Sequence, residues 1–330
     1  MGFGRDDELL STSERVGHRV LGRYKPGDRV ILIYPTSFEF LFAFFGCILA
    51  GLIPVPYPPP KRGAITALES VAVDCNASCI FCMSNLKEVL TIRLNENSTA
   101  LPPILNIRDL LSEDIKSSAI RFSDVRIKES DIALIQYTSG STSKPKGVEI
   151  RHSNVISNQR MIRDAFDHRE RLVVIAWAPL HHDQGLIGNL IQPLFIGGCS
   201  VMLPPVAFFR DPMLWLELIS RYRAHTSGGP NFAFEACVNR YDKIRGSTLD
   251  LSCWKVAFNG AEPISIKALR EFSKTFQQHG FSNEAFFPCY GLAEGTLFIS
   301  GGPAHHGYKV LSSPDGTGDV VGTGLVHQDV

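Results

Sequence analysis

The 330-residue sequence has no excess of charge of either sign: 33 Lys and Arg stand against 33 Asp and Glu. That balance excludes the broad basic field by which proteins hold nucleic acid or an anionic membrane, and it leaves only local anion sites. An apolar leader is also missing, because the first ten residues carry Arg5, Asp6, Asp7 and Glu8 where a secretory segment keeps its apolar core. Asp6 stands where a myristoylation pattern needs Ser or Thr. Without a secretory signal, the eight cysteines read as reduced thiols in a cytosol-like compartment, so a cytoplasmic location is expected. No integral membrane segment is expected either. The most apolar stretch, residues 38–55, contains Glu39, and its charge-free part, residues 40–53, falls short of the ~20 residues a span needs. It reads as a buried core helix. Internal repeats and low-complexity tracts are absent.

What remains is a chain that can bury a large core, with 44% hydrophobic and 20% charged residues, and long enough for two or more lobes. "RVILIYP", "CIFCM", "IALIQYT", "LVVIAWAPL", "SVML" and "KVAFNG" are short apolar runs that predict buried strands. Helical patterns such as "DPMLWLELISRYR" and "SIKALREFSKTFQQHG" lie between several of them. Strands alternating with helices imply βαβ units, hence an α/β fold with mostly parallel sheets. "PVPYPPPKR", residues 54–62, predicts an extended, solvent-accessible crossing, since proline cannot continue a helix. The polar connector at residues 116–131 suggests a division into residues 1–125 and 126–330.

The stretch "YTSGSTSKPKGVE", residues 137–149, packs hydroxyls, lysines and glycines directly after an apolar run. It is therefore placed at the end of a buried strand, where open α/β sheets bind ligands. Small residues let backbone N–H groups converge on an anion, hydroxyls add donors, and lysine supplies a compact positive charge. It is not a Walker A loop, because Val148, not Lys, follows Gly147.

The order Thr-Ser-Gly-Ser-Thr then Pro-Lys-Gly resembles the phosphate-binding signature of adenylate-forming enzymes. Ser143 stands where that signature has a second glycine, a change that makes a positive φ more costly. Further motifs follow in the family's order: "WAPLHHDQGLIG", "SGGPNFAFEAC", "VAFNGAEPI" and "FFPCYGLAEGTLFISGG". Together with "PVPYPPP" they look most like the fatty acyl-AMP ligases, and the resemblance runs over about residues 27–302.

That resemblance implies ATP-dependent activation of a fatty acid to acyl-AMP with Mg²⁺, and release of pyrophosphate. Thr138, Ser139, Gly140, Ser141, Thr142 and Lys146 would hold the β- and γ-phosphates. His182, with Asp183 beside it, matches the histidine next to the reacting carboxylate and α-phosphate, and Glu294 matches the glutamate that carries Mg²⁺. Tyr290, followed by Gly291, would stack on adenine, with Asn259, Gly260, Ala261 and Glu262 along its edge. Gly228, Gly229, Pro230 and Asn231 would leave room for the acyl chain, and the neighbouring Phe232 and Phe234 would wall it.

The expected acceptor is the phosphopantetheine arm of an acyl carrier protein, with coenzyme A as the alternative. The family's carboxy-terminal lid domain, with its catalytic lysine, and the ribose-binding aspartate before it are expected beyond Val330. The 330 residues alone are thus expected to be a poor catalyst, or a nucleotide- or lipid-binding module. Two motif matches point elsewhere. "CNASCIFC" has the spacing of an iron–sulfur site, but it falls in an apparent buried strand. Ser141 and Lys144 satisfy Ser-x-x-Lys, but its companion motifs are absent.

Overall fold

The computed structural model describes residues 6–60, 65–97, 101–112, 122–138, 146–312 and 319–322. The chain divides into two compact units, Met1–Val155 and Ile156–Val330.

In the first unit β1 (Arg29–Ile33), β2 (Ile53–Tyr57), β3 (Ala77–Cys82) and β4 (Ile104–Asn106) form a parallel sheet in the order β2-β1-β3-β4. The phenylalanine-rich run between β1 and β2 is the helix Phe38–Leu49, begun by Ser37, whose Oγ accepts from the Phe40 amide at 3.4 Å. It buries Phe40, Leu41, Ala43 and Phe44. Among the described residues no helix is long and apolar enough to cross a membrane.

The proline-rich segment departs from expectation. Ile53–Tyr57 is a strand, buried at Ile53 through Val55 and Pro56, not a solvent-accessible crossing. β2 is an edge strand, and in parallel pairing alternate residues turn their amides to opposite sides. The Ile53 amide donates inward to the Asp28 carbonyl at 2.8 Å, so Pro54 and Pro56 fall on the free edge, where a missing N–H costs nothing.

Two of the three spaced cysteines lie on β3, and strand alternation sends Cys79 and Cys82 to opposite faces. Burial pushes both thiols up to about 12. They are packing residues, and no group of three metal-binding side chains converges among the described residues.

β5 (Ile132–Thr138) and β6 (Lys146–Arg151) form an antiparallel hairpin. Ile132, Ile135 and Tyr137 pack with Ile31, Val55 and Ile80 in one core cluster. The hairpin therefore belongs to the first unit, and the division comes after β6, not at the polar connector.

The second unit is built on β7 (Val173–Ala176), β8 (Cys199–Met202), β9 (Thr226–Gly229), β10 (Val256–Asn259), β11 (Phe286–Gly291) and β12 (Phe298–Gly301), in the order β12-β11-β10-β9-β7-β8. All pairs are parallel except β11 with β12. One face carries a dense aromatic core in which Trp215, Trp254, Phe234, Phe272 and Phe286 pack together. Its helices include Met213–Tyr222, Asn231–Asn239 and Ile266–Phe276. The other face carries a smaller cluster of Ile162, Phe166, Val256, Phe258, Phe287 and Phe298.

Candidate functional site

A parallel sheet sends every strand out at the same edge, so the residues that follow each strand end gather there. β7 leads through Trp177 to His181, His182 and Asp183, β9 to Pro230 and Asn231, β10 to Gly260, Ala261 and Glu262, and β11 through Gly291 to Glu294. Motifs widely separated along the chain thus reach one edge of one sheet.

A pocket opens at this edge between Asp183, Gly260, Ala261, Tyr290 and Gly291. Ile162, Phe166, Phe258, Leu297 and Phe298 give it a largely apolar lining. Tyr290 is 55% exposed, free to meet a ligand with its ring. Gly260 and Gly291 bring backbone strands close at the rim. A side chain on Gly260 would reach the Cys289 carbonyl at 2.7 Å, and one on Gly291 would collide with the Leu297 carbonyl. Ala261 holds φ at +69°, a left-handed conformation costly for a residue with a Cβ.

Asp183 begins the π-helix Gln184–Ile191, its carboxylate accepting from the Gln184 amide at 2.7 Å. π-turns recur at functional sites. Here the turn lets Asp183, Gln184, Gly188 and Asn189 all line the pocket. Burial raises the Asp183 carboxyl above its ordinary range and the Glu294 charge adds to this, against the Gln184 amide and the His182 charge, which pull down. The Asp183 carboxyl therefore lies within range of both His182 and Glu294. His182 is exposed, whereas burial, helped by His182, lowers its neighbour His181 to about 4.

Other expected residues are placed differently. Gly228 leaves the space filled by the Phe258 ring, and Gly229 the space filled by the Trp177 ring, whose Nε1 donates to the Gly228 carbonyl at 3.1 Å. Asn231 is a latch: its amide donates to Glu262 Oε1 at 2.7 Å, its Nδ2 to the Pro263 carbonyl at 2.8 Å, and its Oδ1 accepts from the Ser265 amide at 2.9 Å. The Glu262 carboxylate is thereby turned to the start of the helix Asn231–Asn239, a favourable place for negative charge. Pro230 immediately precedes that helix.

Phe234 is fully buried in the aromatic core on the opposite face, and Phe232 is 39% exposed, stacked on Phe209; neither walls the pocket. Both lie on the helix Asn231–Asn239, which packs on that aromatic face, so nearness in sequence to the rim is not nearness in space. Asn259 is fully buried and donates from Nδ2 to the Gly229 carbonyl at 3.0 Å, while its Oδ1 has no partner.

Thr138 and Lys146 face each other across the end of the β5–β6 hairpin, with Lys146 exposed. The phosphate-loop signature thus leaves a hairpin and not a strand of a parallel sheet. Ser139, Gly140, Ser141 and Thr142 lie outside the described residues.

Several residues that line or brace the pocket carry no motif. Asn158 fastens the segment that follows Glu294, donating to the carbonyls of Gly295 at 3.2 Å and Phe298 at 2.8 Å, and accepting from the Phe298 amide at 3.1 Å. Ile162, Phe166, His168 and Thr226 join the walls from outside the recognised motifs. A buried Asn on an otherwise amphipathic helix is the one local sign of such a clasp.

Comparison with known proteins places the chain in a family. The family model of AMP-binding enzymes matches residues 7–324. The medium-chain-fatty-acid–[acyl-carrier-protein] ligase of Moorena producens is 38% identical over 86% of this chain and 48% of its own length. The long-chain-fatty-acid–AMP ligase of Mycolicibacterium smegmatis is 35% identical over 92% of this chain and 49% of its own. A fatty acyl-adenylate ligase of Legionella pneumophila, solved with acyl adenylate and pyrophosphate, superposes with a TM-score of 0.82 at 34% identity, covering 92% of this chain and 53% of that one. The chain spans about half the length of the relatives it matches. By sequence and by fold, this chain belongs to the AMP-binding enzyme family.

Proposed function

We propose that this chain is the substrate-activating lobe of a fatty acyl-AMP ligase, which joins a fatty acid to the α-phosphate of ATP, releases pyrophosphate and passes the acyl group to an acyl carrier protein. The observation that carries this reading is the apolar pocket whose mouth is formed by Asp183, Gly260, Ala261, Tyr290 and Gly291. It offers an apolar tail a wall of Ile162, Phe166, Phe258, Leu297 and Phe298, and leaves the carboxylate at the polar rim. The names of the Moorena and Legionella relatives support the carrier-protein acceptor and the acyl-adenylate product respectively.

In the reaction a carboxylate oxygen bonds to the α-phosphorus, and the bond from that phosphorus to the bridging oxygen breaks, its electron pair leaving with pyrophosphate. Two anions must meet, so fixed donors and positive charge are the main requirement. His182 is assigned to the reacting carboxylate, and Lys146 with Thr138, Ser139, Gly140, Ser141 and Thr142 to the β- and γ-phosphates. Tyr290 is assigned to the adenine face, with Asn259, Gly260 and Ala261 at its edge.

Glu294, with Asp183 within range of its charge, suits Mg²⁺, which keeps several waters and takes only one or two protein carboxylates. The bound ion would neutralise phosphate charge. All eight cysteines are free thiols, which supports a reducing, cytoplasmic setting.

The test is acyl-AMP formation from ATP and a panel of fatty acids, by this chain and by a version carrying the family's carboxy-terminal domain. The extended version is expected to form acyl-AMP, and the 330-residue chain to bind fatty acid but react roughly 10² to 10³ more slowly. Failure of both to bind any fatty acid would overturn the proposal.

A further inference from the structure

The pocket has an end as well as a mouth. At the rim stands Gly260, one residue past Asn259, which pairs with Gly229; at the other end stands Thr226, which pairs with Val256. Val256 to Gly260 is four steps of strand, or about 13 Å at ~3.3 Å per residue. An extended alkyl chain advances roughly 1.3 Å per carbon, given C–C bonds of about 1.5 Å, so the span matches on the order of ten carbons.

That far end is polar, which is unusual for an acyl pocket. His168 Nε2 lies 2.8 Å from Thr226 Oγ1, and Gln192 Nε2 donates to His168 Nδ1 at 3.2 Å. Because Nδ1 accepts, Nε2 carries the proton and donates to Thr226. The threonine hydroxyl then donates onward to His225 Nδ1 at 2.9 Å. Each of these three contacts then joins one donor to one acceptor, with no charge on either ring. Burial, assisted by the neighbouring His225, lowers His168 to about 3, in keeping with a neutral imidazole.

A ring tied at both nitrogens cannot turn aside as an aliphatic side chain would. The edge contact with Phe166, centroids 5.4 Å apart, blocks tilting as well. Beyond Thr226, His225 lines a separate recess with Asp167, Arg169, Lys255, Glu284 and His305. A chain that outgrew the pocket would meet charge there and find no further apolar wall.

We infer that His168 is the residue at which the acyl pocket ends, so that it sets the longest fatty acid this protein accepts. The inference rests on the acyl-ligase reading above and goes beyond it by naming the specificity-determining side chain. Its hydrogen bonds to Thr226 and Gln192 make the stop rigid, so the length profile should end sharply.

The experiment measures binding of short, medium and long straight-chain fatty acids to the protein and its variants, with acyl-AMP formation by the extended version. For the wild-type protein, affinity is expected to rise roughly fourfold per methylene up to the floor and to stop rising beyond it. In His168→Ala the rise should continue for about two or three further methylenes, since that is the reach of the lost imidazole at roughly 1.3 Å per carbon.

His168→Phe, which keeps a ring in place, should hold or shorten the limit, and it serves if the alanine variant does not fold. The inference is overturned if a folded His168→Ala keeps the wild-type limit, or if His168→Phe accepts longer chains. A wild-type protein that binds no fatty acid of any length would instead sink the acyl-ligase reading itself.

Discussion

The two faces of the sheet in the second unit are made by the same strands and serve opposite ends. On one face Ala257, Phe286 and their neighbours meet Trp215, Trp254, Phe234 and Phe272 in a core of interlocking rings. Trp254 illustrates the packing: it is 1% exposed, and its Nε1 donates to the carbonyls of Ser227 and Val256. On the other face Val256, Phe258 and Phe287 meet a thinner cover of Ile162 and Phe166, and space remains. Side chains of adjacent strand residues point to opposite sides, so a single run such as Val256–Asn259 supplies both a filled core and a pocket wall. Stability is concentrated on one face, and room for a ligand on the other.

The largest expected effect attacks the filled face. Trp254→Ala should cost about 3–5 kcal/mol, measured by urea unfolding, because it opens a cavity among rings with no freedom to collapse. Its folded fraction should bind fatty acid normally, since Trp254 does not line the pocket. A Trp254→Ala protein as stable as the wild type would break the comparison.

Acid should act on the pocket face next. His168 and His225, lowered to about 3 and about 4 chiefly by burial, lie below their unfolded value near 6.5. The unfolded chain therefore binds more protons below that value. Stability from these two groups is complete above about pH 6.5 and is lost as pH falls through about 4 for His225 and about 3 for His168. Unfolding midpoints across this range should drop by less in His168→Phe than in the wild type.

A smaller effect tests the clasp beneath Glu294. Asn158→Ala removes the partners of the Phe298 amide and carbonyl, and should cost about 2 kcal/mol. It should also weaken Mg-nucleotide binding in calorimetry, because the segment that carries Glu294 loses its anchor. Tyr290→Ala is expected to change stability least, within about 0.5 kcal/mol, because the ring is largely exposed. Its effect should appear as weaker nucleotide binding. Equal nucleotide affinity in Tyr290→Ala would remove the adenine role from that ring.

Much of the fold was legible because its signals are local. The run from Phe38 showed by its length that it is a buried helix, and the apolar runs at Arg29, Val173 and Val256 are strands. Residues 54–57 were misread because proline was weighed as a helix breaker without asking which side of a strand its missing N–H would face. The motifs after β7, β10 and β11 announced rim residues because those turns have local chemistry: the capping Asp183, and the glycines at 260 and 291. An acyl wall is expected beside Gly228 and Asn231, whereas the pocket takes part of its apolar lining from Ile162 and Phe166, which lie in another segment and carry no signature.

The sequence by itself determined the order of elements, the α/β class and the family, because these follow from hydrophobic runs, turn residues and short motifs that act over a few positions. Only the tertiary structure decided which face of each strand would be filled. It alone brought Asn158 to the segment behind Glu294, and His168, Thr226 and His225 into one hydrogen-bonded line. Those contacts join residues up to 140 positions apart. The physical reason is that a side chain's neighbours across a sheet are set by strand order and register, which no stretch of sequence carries within itself.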